Sequence, residues 1–113
     1  MNNRESFKEM VKMLKAERER LNEIAGLLNG KTTVGGDLIY SYAAKVNVEA
    51  AYKKISDAIE ILACEYIQTA DPDFYGRLSS EPDIEVYFDE GFGTEHINIY
   101  ADDIHGNRIS TQC

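Results

Sequence analysis

The sequence predicts an α+β fold, an N-terminal long two-helix hairpin over residues 1–69 followed by a small three-stranded antiparallel sheet over 83–113, in a single domain 1–113. Three observations carry this. Apolar residues recur at steps of three and four as far as Thr69, the spacing of one helix face. Asp71-Pro72 then interrupts the pattern, because the residue before proline disfavours helical backbone. Beyond it, apolar residues alternate with polar ones, the period of a strand. At 113 residues and 43% apolar content, the chain suits one modest core.

Helix one is expected from Asn2 to Asn29. Phe7, Val11, Leu14, Leu21, Ala25 and Leu28 form its stripe, Arg18 is the polar member, and Met10 and Ile24 widen it. Asn2 with Glu5 suits an N-terminal cap, and Asn29-Gly30 a left-handed stop. After a glycine-rich link, Asp37 is expected to cap a second helix running to Thr69. That helix is apolar on more than one side: Leu38, Tyr42, Val48, Tyr52, Ile55, Ile59, Leu62 and Tyr66 share one stripe, and Ile39, Ala43, Val46, Ala50, Ile61 and Ala63 lie elsewhere. One partner helix covers one face only, so a homo-oligomer through helix two is expected. Val46-Asn47-Val48 is the expected site of a kink.

Strand one is read from Ile84-Glu85-Val86-Tyr87-Phe88-Asp89 and strand two from His96 to Ala101, joined at Glu90-Gly91-Phe92-Gly93. With residue 90 opposite 93, Val86 faces Ile97 and Ile84 faces Ile99, which places the aliphatic residues on one side. A three-residue loop, Ile104-His105-Gly106, leads to strand three at Arg108–Thr111, with Asp102 opposite Arg108 and Ala101 opposite Ile109. The other side then carries Glu85, Tyr87, His96, Asn98, Tyr100, Arg108 and Ser110. Rings beside directional polar groups are what small-ligand sites and protein hot spots use.

Charge restricts the function. Residues 1–36 carry 7 basic and 5 acidic side chains, 37–69 carry 3 and 5, and 70–113 carry 2 and 10. An acidic end repels phosphate backbones, so direct nucleic-acid binding is not expected. With no long apolar run and no basic-then-apolar leader, the chain is expected to be cytoplasmic and off the membrane. Cys64 and Cys113 suggest two thiols. No cofactor, metal site or catalytic residue is expected. Ala25-Gly26-Leu27-Leu28-Asn29-Gly30-Lys31-Thr32 matches a relaxed phosphate-binding loop, but a helix precedes it where that mechanism needs a strand. Asp71, Asp73, Asp102, Asp103 and His105 lack metal-site spacing and read as turn chemistry.

In layout, and in Tyr87-Phe88 and Ile97-Asn98-Ile99, the chain resembles the anti-Thoeris sponges, small phage-encoded counter-defence proteins that sequester a cyclic ADP-ribose-type signal. The resemblance implies that Phe88, Asn98 and Arg108 surround a nucleotide. The chain departs from that pattern where the strand register turns Phe88 toward the core and where its C-terminal end provides only Arg77 and Arg108 for phosphates. In composition it also resembles small acidic anti-CRISPR inhibitors. The expected function is therefore non-catalytic binding: sequestration of a nucleotide-derived ligand on Tyr87, Phe88, His96, Asn98, Tyr100 and Arg108. The alternatives are blockade of a partner's basic groove by Asp83, Glu85, Asp89, Glu90 and Glu95, with Tyr87 or Phe92 as anchor, or a plain interaction module.

Overall fold

The computed structural model describes residues 3–31, 33–34, 37–38, 42–91 and 93–112. Its elements are α1 (Asn3–Lys31), β1 (Thr33–Val34), β2 (Asp37–Leu38), α2 (Tyr42–Ala70), α3 (Pro72–Arg77), β3 (Glu85–Gly91), β4 (Thr94–Asp102) and β5 (Arg108–Gln112). The long helix pair followed by a three-stranded antiparallel sheet in the order β3-β4-β5 is the predicted α+β class. Several boundaries move. α1 continues through Gly30 instead of stopping at Asn29. Asp37 does not cap helix two; with Leu38 it pairs against Val34 and Thr33 in a two-stranded ribbon. α2 runs unbroken through Val46-Asn47-Val48, because two β-branched residues cost a 29-residue helix little. Asn2, Gly35, Gly36, Phe92 and Cys113 lie outside the described residues.

The chain forms two compact units, Met1–Val11 with Ile59–Cys113, and Lys12–Ala58. In the first, α2 ends at Ala70 and α3 starts at once. Asp71 caps α3 by accepting from the Phe74 amide at 3.1 Å, with proline in the first turn. The missed helix thus had a sequence signal, an N-cap aspartate followed by proline. Every buried apolar side chain among the described residues belongs to this unit: Phe7, Val11, Ile59, Ala63, Ile67, Phe74, Pro82, Ile84, Val86, Ile97, Ile99 and Ala101. Phe7 stacks flat on Tyr66 with ring centroids 4.3 Å apart. Lys8 and Glu95 form an ion pair at 3.0 Å, and Arg4 donates to the Glu95 carbonyl.

In the second unit, the seam positions Leu14, Leu21, Ala25, Leu28, Val48 and Ile55 are half-buried. Arg18, the polar member of the stripe, donates to Ser56 Oγ at 3.2 Å and lies over the Tyr52 ring, 5.7 Å from its centroid. Its stem packs like an apolar residue while its head finds partners on the neighbouring helix.

The first hairpin keeps the predicted faces in a different register. Gly91 opposes Thr94, so Val86 pairs with Ile99 and Phe88 with Ile97, a shift of two residues from the expected pairing. The two-residue turn therefore ends on Gly93, which takes a positive φ of 77°, a conformation glycine adopts without steric cost. A shift of two preserves the alternation, so the aliphatic face survives the error. The second hairpin has the predicted pairs, Asp102 with Arg108 and Ala101 with Ile109, but its loop is Asp103–Asn107, longer than the expected three residues. Asp103 explains the length. One of its carboxylate oxygens accepts from the amides of His105 and Asn107, both at 2.9 Å, and closes the loop from within.

Candidate functional face of the sheet

Alternation along β3 and β4 sends Val86, Ile97, Ile99 and Ala101 to the buried side and Glu85, Tyr87, Asp89, His96, Asn98, Tyr100 and Asp102 to the other. Tyr87 lies directly opposite Asn98, and Glu85 opposite Tyr100. The two tyrosine rings meet edge-on at 5.7 Å and 72°. They remain 49% and 38% exposed, so each keeps a ring surface open for contact. Asn98 accepts from the Gln112 amide at 3.1 Å, which extends the polar strip onto β5. His96, opposite Asp89, is half-buried. Gly91 has no side chain where the imidazole lies, and a Cβ there would come within 3.8 Å of the ring.

Five of the six expected site residues, Tyr87, His96, Asn98, Tyr100 and Arg108, share this face. Phe88 does not. It is half-buried, opposite Ile97 on the core side, so its ring cannot join the others; the residue implied by resemblance conflicts with the strand period, and the period prevails. Arg108 has intramolecular partners, the Asp83 carbonyl at 2.7 Å and an Asp102 carboxylate oxygen at 3.2 Å. Asp83 has a positive φ of 46°, and the guanidinium holds its carbonyl. The expected acidic cluster also divides. Glu85 and Asp89 stand with the tyrosines, whereas Glu90 and Glu95 oppose each other on the reverse face, where Glu95 is paired to Lys8.

The other titratable groups singled out have structural work. Asp71 accepts from Thr111 Oγ1 at 2.6 Å and from the Phe74 amide, which together hold its carboxyl below the usual range. Asp103 is held low first by the Asn107 amide and then by that of His105, against the opposing effect of burial. Burial, helped by Glu60 and Glu65, pushes the Cys64 thiol up, which keeps it protonated and a poor nucleophile. Among the described residues no group of three His, Cys, Asp or Glu is placed to hold a metal ion, and no helix is long and apolar enough to cross a membrane.

What the face offers chemically is ring surface and hydrogen-bonding amide beside the carboxylates of Glu85 and Asp89, and among the described residues its arginine, Arg108, is already paired with Asp102. No family model, no curated protein and no solved structure matches this chain.

Proposed function

We propose that this chain is a non-catalytic binding protein that docks a basic surface of a partner protein on the Tyr87 and Tyr100 face of its sheet. The observation that carries the reading is the pair of half-exposed tyrosine rings in edge contact on an open strand face with carboxylates beside them. Tyrosine anchors supply contact area at low entropic cost, and complementary charge steers the encounter. Sequestration of a nucleotide-derived signal uses the same rings, but its phosphates must displace Arg108 from Asp102 and the Asp83 carbonyl. The protein-docking reading needs no such rearrangement.

Solution NMR of the whole chain, titrated separately with an arginine-rich peptide and with a panel of cyclic and linear nucleotides, tests this. The peptide is expected to shift Tyr87, Asn98 and Tyr100. The effect should fade between 0.1 and 1 M salt, as the screening length falls from about 10 Å to about 3 Å. Tyr100→Ala and Asp89→Lys are each expected to weaken binding by about tenfold or more. Glu90→Lys, on the reverse face, should leave it unchanged. A nucleotide that saturates this face while the peptide does not would replace docking with sequestration, and indifference of the face to both probes would end the reading.

A further inference from the structure

Besides the seam that faces α2, helix α1 carries a second stripe. Met13, Glu17, Arg20, Ile24 and Leu27 follow one another at steps of four, three, four and three, the heptad spacing of a helix that packs on another helix. This stripe is uncovered. Met13 is 64% exposed, Ile24 43% and Leu27 67%, and the Glu17 and Arg20 side chains are 57% and 71% exposed. From Met13 to Ile24 the order is apolar, acid, base, apolar, and from the other end it is apolar, base, acid, apolar, so the stripe is its own complement. In an antiparallel pair with its two-fold axis midway between Glu17 and Arg20, each Met13 meets Ile24 of the other copy and each Glu17 meets Arg20 of the other copy. Helix polarity satisfies every layer twice. A parallel pair would instead set Glu17 against Glu17 and Arg20 against Arg20. In sequence the symmetry runs one step further, since the position opposite Leu27 is Met10.

We infer that α1 pairs antiparallel with α1 of a second copy of this chain through Met13, Glu17, Arg20 and Ile24. The charge pattern selects the occupant, because a two-fold interface must be self-complementary and this stripe is. Within one chain, Glu17 and Arg20 are joined at 2.9 Å across one helical turn, so the two side chains already extend along the stripe. Pairing gives each of them an additional opposite charge. α2 exposes Val46 and Ile61 about 60° apart around its axis and Tyr52 on another side; the self-complementary stripe is the one on α1. The pairing uses no residue of the sheet face and is independent of the docking reading.

The stripe is short, about 21 Å from Met13 to Leu27 at 1.5 Å per residue, so association belongs in the micromolar range. Sedimentation equilibrium of the full chain from micromolar to about 500 µM tests it, with circular dichroism confirming the helices of each variant. The mass should rise from 12.7 kDa to twice that value. Arg20→Glu and Glu17→Arg, both at exposed positions, should each raise the dissociation constant about tenfold or more by facing like charges. The double exchange, E17R with R20E, should restore wild-type affinity because position 17 still meets position 20 with opposite charge. The two single variants should also dimerise when mixed. A single-chain mass throughout, a dimer indifferent to Arg20→Glu, or a double exchange as weak as the singles would each overturn the pairing.

Discussion

Two glycines show how far a residue's value depends on its backbone. Gly26 lies inside α1 with nothing within 4 Å of where a Cβ would stand, and Gly93 is equally open but sits at φ 77°. Space is the same, and conformation decides. Gly26→Ala is expected to stabilise the chain by about 0.5–1 kcal/mol, since alanine loses less entropy in a helix. Gly93→Ala is expected to cost about 1–2 kcal/mol, the penalty of a Cβ in left-handed backbone. Urea denaturation of both variants checks the opposite signs. At this scale the sequence was legible where period alone decides. Tyr87, Asn98 and Tyr100 fall on one face because strands alternate, and Phe88 falls on the other for the same reason. What it did not reveal is partnership at a distance: Arg108 with the Asp83 carbonyl 25 residues away, or Thr111 with Asp71 40 residues away. No local pattern encodes such pairs.

Among the elements, the long helices and the strand faces were readable because each repeats its signal over many residues. The errors sit where one or two residues decide. The turn between β3 and β4 had two glycines to choose from, and the selection of Gly93 over Gly91 moved every cross-strand pair by two while moving no side chain to the other face. The first link shows the opposite case. Asp37 reads as a helix cap by composition, yet the Val34 and Asp37 pair of the β1 and β2 ribbon uses it before α2 begins. Proline misled in a third way. Pro72 does end α2, but it also opens α3, because the proline that cannot continue one helix is pre-shaped for the first turn of the next.

For the whole molecule, charge is the dominant long-range term. The sequence carries net −8, and the unit that contains the sheet holds 14 of the 20 acidic side chains and only 4 of the 12 basic ones. Its repulsion eases as pH falls from neutral toward the pI near 4.7. Asp71 and Asp103 act in the other direction. Held below the ordinary aspartate range by their hydrogen bonds, they favour the folded state at pH above that range and lose the contribution as pH falls through their lowered pKa values. Melting temperature should therefore rise from pH 7.5 to about 5 and drop below about 4. Asp103→Asn should flatten the acid side of that profile, and added salt should raise stability at pH 7.5 more than at pH 5. A thermal melt series across pH checks all three.

Among the described residues, the fully buried side chains belong to one of the two units, and this has a consequence in time. Backbone amides exchange with solvent when a segment opens, and opening is rarest where bonded neighbours flank both sides and the side chains are sealed. β4 meets both conditions, with partners on each edge and with Ile97, Ile99 and Ala101 wholly inaccessible. Deuterium should enter β4 last, and the helical amides of α1 from Lys12 onward and of α2 up to Ala58 should turn over first. Raising protein concentration should slow the latter group selectively, starting at the turns around Glu17 and Arg20, while β4 keeps the same clock.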